Sequence, residues 1–194
     1  MELIIASNNQ HKLMEIKAIL GSKFERILSL REAGIEHETV EDGATFMENA
    51  LKKAREIAEL SGKCALADDS GLCVDALDGA PGIYSARFSG THGDDAANNR
   101  LLLEKLAGVT DRSAHFTSAV ALVWPDGHYL QAEGYLHGVI GLEPQGENGF
   151  GYDPLLFIPE RGMTAAQLSA EEKNSISHRY NALQNLLKLL NAQE

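Results

Sequence analysis

Between Thr45 and Ala67 the sequence changes from a helical to a strand period with no linker in between, and this switch limits the fold more than any other feature. Thr45, followed three residues later by Glu48, has the form of a capping box. Phe46, Met47, Ala50, Leu51, Ala54, Ile57 and Ala58 then recur at the spacing of one helix face, and Gly62 is placed to end the helix. Ala65-Leu66-Ala67 reads as a buried strand running straight into Asp68-Asp69-Ser70-Gly71, with a second short strand over Leu72 to Leu77. An amphipathic helix that feeds directly into a buried strand calls for a sheet with helices on its faces. The acidic pair is thereby expected at a strand end.

The flanking sequence extends the same grammar. Leu3-Ile4-Ile5-Ala6 is an apolar strand followed by a polar turn, and His11 to Leu20 carries Leu13, Ile16 and Leu20 at helical spacing. A further strand is expected near Arg26 to Leu30, and a helix from about Asp94 to Ala107 with Gly108 to end it. His115 to Trp124 and His128 to Ile140 are strand-like runs joined by Pro125-Asp126-Gly127, the pattern of a hairpin. Leu155 to Ile158 adds a short strand, and Thr164 to Gln167, Ser169 to Glu172 and Ser177 onward open helical turns, the last packing through Leu183, Leu186, Leu187 and Leu190. The class is α/β, or mixed α+β, with a mixed central sheet flanked by helices. At 194 residues, with no repeat or Pro/Gly/Ser-rich linker, one domain over 1–194 is expected.

Composition removes several classes of function. Hydrophobic content of 44% and charged content of 23% are ordinary for a globular protein, and no segment approaches the ~20 apolar residues of a membrane span. No membrane partner is expected. The opening residues Met1 to Ser7 lack a basic n-region, so a cytoplasmic location is expected. Cys64 and Cys73, at no metal-like spacing, are expected as buried reduced thiols. A formal net charge of −11 opposes binding to long nucleic acid, whose affinity rests on cations neutralising many phosphates. A single nucleotide is compatible if a metal supplies the charge.

Several segments could carry chemistry. Ser7-Asn8-Asn9-Gln10-His11-Lys12 opens the first helix, where free N–H groups and the positive dipole end favour a phosphate; Asn9 and Lys12 could also be a plain cap and a solvated lysine. The glycines of a P-loop or dinucleotide fingerprint are missing there. Glu41-Asp42 precedes the capped helix and Asp68-Asp69 follows a strand, so two acidic pairs could converge on Mg²⁺, which takes hard oxygen ligands; an Asx-held turn is the alternative at Asp68. Gly149-Phe150-Gly151-Tyr152-Asp153-Pro154 suits a flat base, with rings to stack and glycines for close approach, or else forms a turn with two core anchors. Lys173 and Ser177-His178-Arg179 lie at or before the start of the last helix, either as ligand groups or as an exposed basic end.

Together, Ser7-x-Asn9-x-x-Lys12, Glu41 before Thr45-Phe46-x-Glu48-Asn49-Ala50, Ala67-Asp68-Asp69-Ser70-Gly71-Leu72, Gly79-Ala80-Pro81-Gly82-x-Tyr84-Ser85-Ala86-Arg87, Phe150-Gly151-Tyr152-Asp153-Pro154 and Ser177-His178-Arg179 closely resemble the inosine triphosphate pyrophosphatase family, also described as dITP/XTP pyrophosphatases. Order and spacing match over nearly the whole chain.

The resemblance implies an elongated wedge of two lobes around a long mixed sheet, a substrate cleft between the lobes, and a homodimer. It implies hydrolysis of ITP, dITP or XTP to the monophosphate and pyrophosphate. By the same resemblance, Ser7, Asn9 and Lys12 hold the triphosphate, Glu41 and Asp69 bind Mg²⁺, and Asp69 is the catalytic base, supported by Asp68 and Ser70. Phe150, Gly151, Tyr152 and Asp153 form the base pocket, closed by Lys173, His178 and Arg179. A pyrophosphatase for other modified nucleotides, or a non-catalytic nucleotide-binding module, are the alternatives.

Overall fold

The computed structural model describes residues 1–193, which form two compact units. Unit 1 comprises Met1–Ser70, Ser118–Gly134 and the chain from His178 on; unit 2 comprises Gly71–Thr117 and Tyr135–Ser177. The strands are β1 (Glu2–Ile5), β2 (Arg26–Ser29), β3 (Cys64–Val74), β4 (Ser113–Val123), β5 (Tyr129–Ile140), β6 (Leu156–Ile158) and β7 (Met163–Thr164). They form one sheet in the order β2-β1-β3-β4-β5-β6-β7. β1 runs parallel to β2 and β3, whereas β6 is antiparallel to β5 and β7, so the sheet is mixed. The helices are α1 (Gln10–Leu20), α2 (Phe46–Ser61), α3 (Asp95–Lys105), α4 (Ala170–Ile176) and α5 (His178–Asn191).

In unit 1 the strand period of two sorts the core into two layers. Leu3 and Ile5 of β1, Cys64 and Leu66 of β3, and Val120 and Leu122 of β4 pack with Leu13, Ile16 and Leu20 of α1 and Ala182, Leu183 and Leu186 of α5. The intervening Ile4, Ala65, Ala67, Ala119, Ala121 and Val123 pack with Ala50, Ala54, Ile57 and Ala58 of α2. With helices on both faces, the strands read as unbroken apolar runs rather than alternating ones. Each leucine or isoleucine fully buried here contributes about 1.5–3 kcal/mol.

The helix ends hold as their sequences require. Asn9 caps α1, its Oδ1 accepting from His11 N and Lys12 N, and Gly62 closes α2 at φ 63°, a left-handed conformation that glycine adopts without strain. The expected box at Thr45 forms by half: Thr45 Oγ1 accepts from Glu48 N, while the Glu48 carboxylate reaches back to Ala44 N instead of Thr45 N. On β5, Gly134 lies against the backbone of α5, where a β-carbon would overlap Ala182 N and His178 O. The first turns of α5 therefore sit directly on the strand.

Unit 2 has its own core, built from Leu72 and Val74 of β3, Leu102 of α3 and Leu106 just after it, Phe116, Leu136, Ile140 and the short β6. Asp94 caps α3 through Ala97 N, and both Thr164 and Ser169 form full capping boxes, with Gln167 and Glu172.

One expectation fails. Asp68-Asp69-Ser70-Gly71 does not end a strand; Cys64–Val74 is continuous, and the acidic pair lies in its middle. Four polar and small residues looked like a turn because each is depleted in strands. The strand persists because neighbouring cations and a hydroxyl compensate the charges that it buries.

Candidate active site

The same alternation that sorts the core separates the two aspartates. Asp68 is two residues from Leu66 and faces the α1/α5 layer, whereas Asp69 is two residues from Ala67 and faces α2. Each carboxylate therefore meets a different set of partners.

On the first face, Lys12 Nζ is 2.6 Å from Asp68 Oδ2, and Arg179 reaches the same oxygen through Nε at 3.4 Å and Nη2 at 3.3 Å. Ser118, on the same face of β4 as Val120 and Leu122, donates its hydroxyl to Asp68 Oδ1. Arg179 is 1% exposed; its Nη1 also meets Glu15 Oε2 at 2.7 Å and its Nη2 meets Ser70 Oγ at 3.3 Å. Burial opposes ionisation of Asp68, but Arg179 and Lys12 outweigh it and hold the carboxyl well below the usual range. Two cations and two carboxylates thus make a balanced set around the buried Asp68 and Arg179.

On the second face, Lys53 of α2 places its ammonium 3.0 Å from Glu41 Oε1, 3.4 Å from Asp69 Oδ1 and 3.2 Å from Asp68 O. Burial pushes the Asp69 carboxyl up; Lys53 opposes that shift and the Glu41 charge reinforces it. Burial likewise opposes the charge of Lys53, but Asp69 and Glu41 outweigh it and raise its pKa. Adjacent aspartates in one strand thus titrate in opposite directions, the pattern that separates a fixed counter-charge from a proton acceptor. Among the described residues no group of three or more His, Cys, Asp or Glu side chains gathers as a metal cage. Glu41 and Asp69 do converge on one cation. Two carboxylates suit Mg²⁺, which usually keeps several waters and takes further ligands from phosphates.

In unit 2 the residues from Phe150 to Asp153 form a tight turn. Asp153 Oδ2 accepts from Phe150 N at 2.9 Å and is ion-paired with Lys173, whose ammonium lies 4.8 Å from the centre of the Phe150 ring. Gly151, at φ 60°, is clamped by α3: its N–H donates to Asp95 Oδ2 at 2.8 Å, and its carbonyl accepts from Asn99 Nδ2 at 3.0 Å. Tyr152 is buried, with its hydroxyl donating to Ser85 O at 2.7 Å and its pKa raised by burial. Of the two rings, Phe150 is the exposed one and Tyr152 the anchor.

The structure thus gathers Lys12, Asp68, Ser70 and Arg179 into one cluster, Glu41 and Asp69 into a second, and Phe150, Asp153 and Lys173 into a third. Asn9 commits its Oδ1 to the cap of α1, and Ser7 Oγ accepts from Asn9 N. His178 is buried at the start of α5. Arg179, expected beside a base, spends its nitrogens on Glu15, Asp68 and Ser70 in this arrangement. Lys53, Glu15, Ser118, Asp95 and Asn99 escaped sequence reasoning. Signals existed for some of them: Lys53 lies three residues after Ala50 on the edge of the apolar stripe, and Thr117-Ser118 interrupts the apolar run of β4.

The chain matches the Ham1 family over residues 3–189. It is 52% identical to a dITP/XTP pyrophosphatase of Exiguobacterium sp., over 96% of this chain and 95% of that one. It is 49% identical to a dITP/XTP pyrophosphatase of Desulforamulus reducens, over 98% and 96%. Among solved structures, the Ham1 protein of Staphylococcus aureus superimposes with a TM-score of 0.92 at 42% identity, covering 100% of both chains. With the family model matched from residue 3 to residue 189, this chain belongs to the Ham1 family.

Proposed function

We propose that this protein is a nucleoside-triphosphate pyrophosphatase that hydrolyses the non-standard purine nucleotides ITP, dITP and XTP to the monophosphate and pyrophosphate, so cleansing the nucleotide pool. Support comes from its relatives, which are named dITP/XTP pyrophosphatases at about half identity over nearly full length. The observation that carries the reading is the contrast between Asp68, locked ionised by Lys12 and Arg179, and Asp69, whose carboxyl is pushed up beside Glu41 and Lys53.

In this reading Asp69 takes a proton from water as the water oxygen bonds to the α-phosphorus, and the bond from that phosphorus to the bridging oxygen breaks to release pyrophosphate. Lys12 and Lys53 stand as cations for the phosphates, with Ser7 and Asn9 at the start of α1. Glu41 and Asp69 would hold Mg²⁺, which would supply positive charge to the phosphates. Asp68 and Ser70 fix Arg179 and Lys12. Phe150, Gly151, Tyr152 and Asp153 present and anchor the base turn, with Lys173. A donor on His178 complements a 6-oxo acceptor, whereas adenine offers a 6-amino donor there; Arg179, held by Asp68, Glu15 and Ser70, joins it only by giving up one of those partners. Sites built on such hydrogen bonds reject a mismatch by ~10⁴-fold, against ~10²-fold for an apolar pocket.

The single domain with two lobes and a substrate cleft, the homodimer and the cytoplasmic location belong to the same proposal. Two free cysteines fit a reducing compartment, and no helix among the described residues is long and apolar enough to cross a membrane. Sedimentation of the purified protein tests the dimer. Purified protein with Mg²⁺ is expected to release pyrophosphate from ITP, dITP or XTP much faster than from ATP or GTP. Orthophosphate as the sole product, or equal rates on ATP, would overturn the assignment. Asp69→Asn is expected to lose most of kcat while retaining nucleotide, and near-normal turnover would remove Asp69 as the base.

A further inference from the structure

The loop that carries Glu41 has no secondary structure of its own between His37 and Ala44, yet nearly every residue in it is tied to α2. His37 Nε2 and Thr39 Oγ1 each meet Glu56 Oε2 at 2.6 Å. One turn of α2 earlier, Lys52 Nζ donates to Val40 O at 2.8 Å and to Asp42 Oδ1 at 2.7 Å. Earlier still, the buried Asn49 accepts from Gly43 N at 2.8 Å, and Glu48 accepts from Ala44 N at 2.7 Å. The loop therefore runs antiparallel along the helix, its contacts stepping from Glu56 through Lys52 and Asn49 to Glu48. Glu41 alone in the stretch from Thr39 to Ala44 has its described contact with Lys53 and so faces Asp69. Gly43 makes the seat possible: a β-carbon there would lie 2.6 Å from Asn49 Oδ1 and 2.9 Å from Glu48 Cβ.

We propose that this edge of α2 is a splint that sets the position of Glu41, and that Glu56 and Thr39 are positioning residues for the divalent cation although neither belongs to the metal-binding pair. The proposal rests on the reading of Glu41 as a metal ligand. A carboxylate on a free loop meets the metal in only a fraction of its conformations, and apparent affinity falls by that fraction. The stitching makes the competent position the resting one.

The experiment measures binding of Mn²⁺ alone to the full-length protein by electron paramagnetic resonance, alongside the Mg²⁺ dependence of pyrophosphate release. Glu56→Ala and Thr39→Val are each expected to weaken Mn²⁺ binding by ~5-fold or more, with kcat at saturating Mg²⁺ within about twofold of wild type. Glu56→Gln keeps an acceptor for the Thr39 hydroxyl and is expected to recover most of the affinity. Thr39→Val changes no charge and is close in shape, so its loss of affinity reports position rather than field or fold. Wild-type Mn²⁺ affinity in Thr39→Val, or equal losses in Glu56→Ala and Glu56→Gln, overturns the splint. Glu41→Gln separates the two levels: if it binds Mn²⁺ as wild type does, the metal reading itself fails and takes the splint with it.

Discussion

Lys12 Nζ lies 2.6 Å from Asp68 Oδ2, and the aspartate side chain is only 1% exposed. Asp68 is also held by Arg179 and Ser118, so it is the hub of its cluster and Lys12 a spoke. Removing the hub leaves a buried guanidinium with Glu15 as its one ionic partner among the described residues, a far worse outcome than removing one of two cations. Asp68→Ala is therefore expected to lower unfolding stability by about 3 kcal/mol or more, the scale of a broken buried ion pair. Lys12→Met should cost about half that. Denaturant midpoints of the two variants test the order, and equal losses would contradict it.

Acid should act on the fold through the same residue. The folded pKa of Asp68 is held below its unfolded value of ~3.9, so its stabilisation is fully present above that value and is lost as pH falls through the folded pKa. Unfolding free energy measured from neutral pH downward should drop steeply below about pH 4 in the wild type, and Asp68→Asn should flatten that acid limb. Parallel limbs in the two proteins would show that other carboxylates dominate.

Asp69 should behave in the opposite sense. Burial has raised its pKa, so at neutral pH its ionised form is disfavoured in the folded state relative to the unfolded one. Without added metal, Asp69→Asn is expected to gain stability, by ~0.5–2 kcal/mol as single stabilising substitutions commonly do, while losing turnover. A lower melting midpoint for Asp69→Asn in metal-free buffer would contradict this account.

The base turn offers a test confined to unit 2. Asp95 receives the N–H of Gly151 at 2.8 Å and is itself exposed on the first turn of α3, so Asp95→Ala should leave the core intact. Loss of that clamp loosens the turn that presents Phe150. KM for ITP is expected to rise about fivefold or more with a smaller change in kcat, since one charge-assisted hydrogen bond is worth about 1.5–3 kcal/mol. A change in kcat alone, with KM untouched, would argue against this role.

Much of this was legible before the structure. The buried strands, the amphipathic α2 and its Gly62 stop, and the hairpin around Pro125 to Gly127 follow from periods and turn residues that act locally. The middle of β3 was not legible, because what keeps Asp68 and Asp69 in a strand comes from Lys12, Lys53, Ser118 and Arg179, four residues remote in sequence. Lys53 was overlooked for a related reason: a lysine beside an apolar stripe reads as solvated until the carboxylates it meets are known. Tyr152 looked like a ring for stacking because its partner, the carbonyl of Ser85, is invisible to composition.

Gly134 has one more bearing on how the protein responds to ligands. The peptide groups of α5 rest on β5 where no β-carbon intervenes, so any side chain at position 134 would push the helix off the strand. His178 and Arg179, at the head of that helix, therefore travel with the sheet as fixed fittings. Whatever adjustment a bound nucleotide demands of Arg179 must therefore begin at its side chain, by loosening the contacts with Glu15, Asp68 and Ser70 rather than by moving the helix.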